Sequence, residues 1–320
     1  MARYAAIDVG TNTIRLLVAE AEGPGRYRPV FQEQVITRLG ERLQETGSLS
    51  PAAVERTIQV LQRFANTAKT LGAQEVVAVA TSAAREAKNR GEFLNRARRE
   101  TGLELQVASG EVEATLTAIG VSHALGPARA NMVIMDIGGG STEFTSLEQG
   151  RIAGYLSLPI GVVKLTEVHL KGDPPTLDEL EAAATSLRES LRQVPASLDL
   201  PPKAILVGTA GTPTTLAAID LGLASYDADR VTGHRLSRGR IQALLDRLSS
   251  LPLTERRKVI GLEPGRADVI VAGALLTREA MDLLRFDELT VSDGGLREGL
   301  LLYRLAQREE GSEADFLDKR

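Results

Sequence analysis

The 320-residue chain contains no cysteine, which excludes disulfides, a thiolate nucleophile and any thiolate-bound metal. Histidine is scarce as well. His123, His169 and His234 stand far apart with no neighbour at ligand spacing, so they are read as structural or surface residues. There is no excess of positive charge either. A formal net charge of -4 argues against broad binding of nucleic acid, which needs a basic surface, and no specific nucleic-acid binding is expected. No uninterrupted apolar stretch is long enough to cross a bilayer, and the start of the chain runs into a strand without a charged leader or cleavage site. A cytoplasmic protein with no membrane contact is therefore expected. Serine nucleophile elbows and dinucleotide fingerprints of the Rossmann type are missing too. The remaining composition, 43% hydrophobic and 25% charged, is that of a globular protein long enough for two domains.

What is present centres on residues 132–147, MVIMDIGGGSTEFTSL. Four apolar residues run into Asp136, then Gly138, Gly139, Gly140, Ser141 and Thr142 follow, the pattern of a buried strand ending in a tight turn. Glycines remove every Cβ from such a turn, so backbone N–H groups can converge on an anion and the hydroxyls add donors. Phosphate suits this loop. A carboxylate beside phosphate then calls for a divalent cation between them. The plain alternative is a glycine hairpin with a solvated aspartate. A second copy of the pattern shifts the balance: Asp8, an apolar residue, Gly10, Thr11, Asn12 and Thr13 match Asp136, Ile137, Gly138, Gly139, Gly140 and Ser141. Both copies read as β-hairpins of a duplicated architecture whose turns face a shared ligand.

Strand and helix patterns alternate along the rest of the chain, indicating an α/β layer architecture. Ser50 and Pro51 open a helix in which Val54, Ile58, Leu61, Ala65, Ala68 and Leu71 recur at helical spacing. A strand is expected at 75–80, a helix around 93–99, a strand at 103–108 and a helix at about 111–125. In the second half, strands at 132–137, 142–147 and 151–158 precede helices at 162–170 and 177–194. A strand at 203–207 leads into a third glycine and hydroxyl loop, Gly208 to Thr212. Helices at 238–249, 253–260 and 267–284, a strand at 288–292 and a helix at about 296–307 complete the pattern. No low-complexity linker separates the halves, and the boundary is placed near Gly126–Pro127.

Two Asp-bearing hairpins across a cleft would clamp a phosphate chain and hold one Mg²⁺ between Asp8, Asp136 and phosphate oxygens, since Mg²⁺ prefers few carboxylates plus water and phosphate. Glu143 would support the metal or its waters, or else is an outward strand carboxylate. Hydrolysis further requires a base for water. Glu113 and Glu111, both in the first turn of a helix after a strand, compete for that role, although acids are common there simply because they complement the helix dipole. Arg85 and Arg15 are the basic residues placed to meet a polyanion.

The segments Asp8 to Leu16, Thr81 to Arg85, Ser109 to Ala114 and Asp136 to Glu143, with Pro159-Ile160-Gly161, Gly208 to Thr212, Arg266-Ala267-Asp268 and Ser292 to Gly299, resemble in order and spacing the signatures of the exopolyphosphatase and guanosine pentaphosphate phosphatase family, Ppx/GppA. The resemblance covers nearly the whole chain. It implies the actin-like ATPase fold of sugar kinases, Hsp70 and actin, with two ribonuclease H-like domains around a central cleft. The domains would be 1–126, joined by the C-terminal helix 296–308, and 127–295, with a flexible tail at 309–320. It also implies a phosphohydrolase dependent on Mg²⁺, or on Mn²⁺ in its place, that releases terminal phosphate from polyphosphate, from guanosine pentaphosphate (pppGpp), or from both. By position Glu113 matches the family's catalytic glutamate and Arg85 a phosphate-facing arginine. Asp8, Asp136 and Glu143 match acids near the metal. Gly10 to Thr13 and Gly138 to Ser141 match the phosphate clamps, to which Arg15, Gly208 and Thr209 are added as phosphate-binding candidates.

Two departures stand out. Thr11-Asn12-Thr13 replaces the usual Ser-Asn-Ser and keeps its hydroxyls. Val112-Glu113 replaces an adjacent pair of glutamates, so one acidic neighbour is lost. The chain also lacks the C-terminal helical region of longer members. The expected ligands are polyphosphate or guanosine penta- and tetraphosphate, and the helix at 177–194 offers a surface for a homodimer. An ATP-dependent small-molecule kinase and a non-catalytic pppGpp sensor are the competing readings.

Overall fold

The computed structural model describes residues 2–126 and 131–309. Alternating apolar residues at the start of the chain form three antiparallel strands, β1 (Arg3–Val9), β2 (Thr13–Gly23) and β3 (Arg26–Ile36). The short helix α1 (Leu43–Thr46) and the long helix α2 (Pro51–Thr70) follow. Helix α2 starts where its sequence dictates: Ser50 Oγ accepts from Ala53 N at 3.2 Å, and Pro51 occupies the first helical position. Then come β4 (Ala73–Ala80), α3 (Ser82–Glu86), α4 (Arg90–Thr101), β5 (Leu105–Val107) and α5 (Gly110–Leu125). The sheet runs β3-β2-β1-β4-β5, with β4 parallel to β1 and β5 parallel to β4.

The second sheet repeats this plan. Strands β6 (Met132–Ile137), β7 (Thr142–Glu148) and β8 (Arg151–Leu158) are again antiparallel. After α6 (Val162–His169), α7 (Leu177–Leu191) and α8 (Gln193–Ser197), strand β9 (Ile205–Thr209) lies parallel to β6. Helices α9 (Gly211–Asp220) and α10 (Ala228–Val231), strand β10 (Arg235–Ser237), helices α11 (Arg238–Ser250) and α12 (Leu253–Arg256), a 3₁₀ turn at Pro264–Arg266 and α13 (Ile270–Leu284) lead to β11 (Glu288–Val291), parallel to β9. The order β8-β7-β6-β9-β11 is thus that of the first sheet, with β10 added at its edge. The last described element is α14 (Leu296–Glu309).

Two units result, Met1–Gly120 with Gly295–Arg320, and Val121–Gly294. The division falls inside α5, whereas the sequence placed it at 126/127; residues 127–130 and the expected tail from 310 on lie outside the described residues. The first unit has a core on each face of its sheet. Ala5, Ile7 and Val9 face α2 and α4, where Phe64 and Phe93 are buried. Ala6, Leu17 and Ala19 face the opposite way, onto Val112 and Leu116 of α5 and Leu296, Leu300, Leu301 and Leu305 of α14. Arg304 and Arg308 pin α14 to Glu75 of β4. In the second unit Val133, Met135 and Ile137 of β6 pack with Leu216 of α9, Leu244 of α11 and Leu275 of α13.

Three expected elements change. The helix read across 177–194 breaks at Arg192, because Pro195 has no N–H for the next helical hydrogen bond. The helix read at 253–260 stops at Arg256, whose buried guanidinium donates to the carbonyls of Leu248, Leu251 and Ala267. The third glycine loop is mostly not a loop: Gly208 and Thr209 belong to β9, and Gly211 already opens α9.

Candidate active site

In both sheets the turn after the first strand is built the same way. Gly10 N donates to Thr13 O and Gly138 N to Ser141 O, each at 3.0 Å. A Cβ on either glycine would lie 2.9 Å from that carbonyl oxygen, so both tight turns require glycine. The turn carbonyls are drawn backwards onto the segment that follows the third strand. In the first unit Gly40 N donates to Thr11 O, and Thr37 N and Arg38 N both donate to Asn12 O. In the second, Val162 N and Val163 N at the start of α6 donate to Gly138 O and Gly139 O.

The first turn is polar and enclosed. Thr11, Asn12 and Thr13 are 6%, 7% and 8% exposed, yet Thr11 Oγ1 and Asn12 Nδ2 have no hydrogen-bond partner within the protein. Buried polar atoms are rarely left unpaired, since each costs about 1–3 kcal/mol of lost hydration. Two such atoms in one turn mark a place shaped for an external acceptor. Asp8, half-buried, stands opposite Arg15 in the β1–β2 register.

The second turn differs in chemistry. Gly138, Gly139 and Gly140 offer only backbone, and Ser141 is buried. Here Asp136 stands opposite Glu143 in the β6–β7 register, and both carboxylates are buried. Ser157 Oγ donates to Glu143 Oε1 at 2.7 Å. Like charges directly opposite one another destabilise a strand pair, more so when buried. A hard cation held by oxygen ligands resolves that conflict, and the donor set fits Mg²⁺ or Mn²⁺. Among the described residues no group of three or more acidic or histidine side chains is placed to hold a metal, so what the structure brings together is the Asp136–Glu143 pair.

The proposed base is positioned by the other parallel strands of the first unit. Thr81 N donates to Val9 O and Ala108 N to Ala80 O, which aligns the ends of β1, β4 and β5 at one sheet edge, the usual place for a ligand in such sheets. Helix α5 starts there, with Ser109 Oγ accepting from Val112 N. Glu113 is buried and Glu111 exposed, which separates the two candidates. Arg85 Nη1 donates to Glu113 Oε2 at 2.9 Å and to Ala108 O at 2.8 Å. The arginine is thus braced by backbone and in turn orients the carboxylate.

Gly208 and Thr209, named as phosphate ligands, are spent on structure. Gly208 lies in the sheet between β6 and β11 and its carbonyl accepts from Ser292 N, while Thr209 Oγ1 donates to Gly294 O at 2.9 Å. Sequence reading missed that the backbone reversal sits at Ala210, with φ 66° and ψ −162°. Of the histidines, His234 is paired with Asp220 at 2.7 Å.

A hairpin-and-crossover plan used twice, with a glycine turn after the first strand of each copy, is the actin-like ATPase fold. The particular branch follows from comparison. The sequence pattern of the Ppx/GppA phosphatase family matches residues 17–309, and the chain belongs to that family; it is a hydrolase of the phosphatase class. It is 37% identical to exopolyphosphatase 2 of Mycobacterium tuberculosis, over 94% of this chain and 98% of that one. The Aquifex aeolicus family member, at 36% identity, superposes with a TM-score of 0.81 over 96% of this chain and 98% of its own. An exopolyphosphatase from Cytophaga hutchinsonii, 26% identical, gives 0.85 over 97% and 99%.

Proposed function

We propose that the protein is an exopolyphosphatase, removing the terminal phosphoryl group of inorganic polyphosphate. The observation that carries this reading is the buried, unpartnered pair Thr11 Oγ1 and Asn12 Nδ2 in the first turn, two donors without an acceptor. Phosphate oxygens supply acceptors of that kind, and the bare backbone of Gly138 to Gly140 offers N–H groups for others. The names of the exopolyphosphatase relatives support polyphosphate as the substrate.

In this reading Glu113 takes a proton from the attacking water. The water oxygen bonds to the terminal phosphorus, and the bond from phosphorus to the bridging oxygen breaks. Arg85 holds Glu113 and faces the phosphate. Asp136 and Glu143 hold the divalent cation, to which the sequence reading adds Asp8. When bound, that cation neutralises charge on the phosphate oxygens. Arg15, Thr13 and Ser141 complete the phosphate-binding set, and hydrolysis of pppGpp is a second use of the same chemistry.

The test is Glu113→Gln, which keeps shape and hydrogen bonding but cannot accept the proton. Phosphate release from polyphosphate with Mg²⁺ should fall roughly 10²–10⁴-fold while thermal stability and tripolyphosphate binding stay near wild type. Near-normal hydrolysis by that variant would sink the assignment. Running pppGpp and ATP in parallel ranks the substrates, and release from ATP alone would favour a nucleotide enzyme instead.

A further inference from the structure

The segment Thr37 to Gly40, which no sequence motif singled out, is bonded to the first turn through its backbone. Three of its N–H groups grip the turn's carbonyls: Thr37 N and Arg38 N reach Asn12 O at 3.1 and 3.0 Å, and Gly40 N reaches Thr11 O at 2.9 Å. At Gly40 a Cβ would come within 2.3 Å of Thr11 Cγ2, so the strap lies flush against the threonine. Thr37 is 2% exposed, and its Oγ1 is a third buried polar atom without a partner, beside those of Thr11 and Asn12.

Between Thr37 and Gly40, Arg38 holds φ at 54°, a left-handed conformation that an arginine adopts at a cost and a glycine does not. Strain of this kind persists where the surrounding structure fixes it, and it concentrates at ligand clamps. Here the fixing bonds are Arg38 N to Asn12 O and Glu41 N to Arg38 O, at 3.0 Å each. The corresponding segment of the second unit, at the start of α6, also bonds the turn's carbonyls, one residue earlier at Gly138 and Gly139, through Val162 and Val163, which bring no charge or hydroxyl. The chemistry added to the first unit's strap therefore has no structural counterpart.

We infer that Thr37 and Arg38 form a third wall of the phosphate site at the first turn, with the arginine as a phosphate-gripping cation that sets affinity rather than the rate of the chemical step. The inference rests on the exopolyphosphatase reading and extends it to a strap that follows β3. The left-handed backbone of Arg38 serves to hold its half-buried side chain at the edge of the turn. Any substrate carrying consecutive phosphates would meet it, polyphosphate and pppGpp alike.

The experiment compares Arg38→Gly, Arg38→Lys, Thr37→Val and Asn12→Ala with Thr57→Val in the full chain. Thr57 also carries a buried hydroxyl without a partner, but it belongs to α2 and not to the turn or the strap. Steady-state hydrolysis of polyphosphate and the thermal shift given by inorganic tripolyphosphate are read for each. Arg38→Gly should raise KM about tenfold with kcat within about twofold, and lose most of the tripolyphosphate shift. Its own melting point without ligand should hold or rise, because glycine accepts that φ. Arg38→Lys should recover part of the affinity, and Thr37→Val should cost about threefold in KM. Unchanged KM and thermal shift in Arg38→Gly, with Asn12→Ala impaired, overturns the inference alone. Wild-type behaviour in both Arg38→Gly and Asn12→Ala overturns it together with the phosphate reading of the turn. Thr57→Val shifting KM as far as Thr37→Val would assign the effect to packing and likewise overturn the role of Thr37.

Discussion

The turns at Gly10 and Gly138 share one backbone and differ in almost every side chain. Their closing hydrogen bonds have the same length, their glycines meet the same carbonyl at the same distance, and their carbonyls are pulled back by the segment after the third strand. Yet the first carries Thr11, Asn12 and an Asp8–Arg15 pair of opposite charge, and the second carries bare glycine and an Asp136–Glu143 pair of like charge. A duplicated frame has been divided into two tasks. In the proposed reading one copy offers side-chain donors to an anion, and the other places two carboxylates where they would hold a cation.

Removing one of the like charges should have the largest effect on this contrast. Glu143→Gln should be at least as stable as wild type without metal, since one of two facing carboxylates is gone. Its affinity for Mg²⁺ should fall by roughly 100-fold or more, the upper end of what losing even an outer-sphere partner costs. Melting points across a MgCl₂ titration read both effects, and an unaltered Mg²⁺ dependence would put the two turns on an equal footing again. Next comes the first turn. Thr11→Val removes a buried donor without a partner, so it should leave stability unchanged or raise it by about 1 kcal/mol, while KM for polyphosphate climbs about tenfold. A loss of stability of that size, measured by urea denaturation, would show that the hydroxyl serves the fold.

The smallest effect concerns a feature the two units have in common. Glu75 in the first and Asp220 in the second are pulled upward in pKa by burial, but hydrogen bonds from Arg304 and Arg308, and from Arg240 and His234, more than offset this and hold both below their ordinary values. Each therefore adds stability that is complete above its unfolded value and is lost as the pH falls through the lowered one. Glu75→Gln should flatten the acid limb of stability below about pH 4.5 and Asp220→Asn below about pH 3.8, each by roughly 0.5–1 kcal/mol, given their partial exposure. An acid limb unmoved in one variant would confine the device to the other unit.

The hairpins were legible because each strand alternates or runs apolar up to a glycine turn, and 132–137 was read to the residue. Helix α9 was not. All of Gly211 to Ile219 is buried, so it has no polar face to give a helical period, and its glycine, threonines and proline look like a loop. The candidate site was legible where residue type carries the chemistry, as at Asp8, Asp136 and the turn hydroxyls. Spacing kept Glu111 as a rival of Glu113, since both sit in the first turn of α5; the family resemblance favoured Glu113, and burial also sets the two apart. The strap at 37–40 was illegible for a different reason: its place is fixed by backbone hydrogen bonds to residues far back in the chain, and these leave no mark on composition.

The leucines of α14 lie on a face of the first sheet, though nearly three hundred residues separate Ala6 from Leu296. During synthesis the residues 121–294 all leave the ribosome before this helix exists, so the second unit can mature while one side of the first unit's sheet is covered by α5 alone. The segment that begins the molecule is thereby the last to be sealed, and a nascent chain released short of Leu296 would present that apolar surface to quality-control machinery.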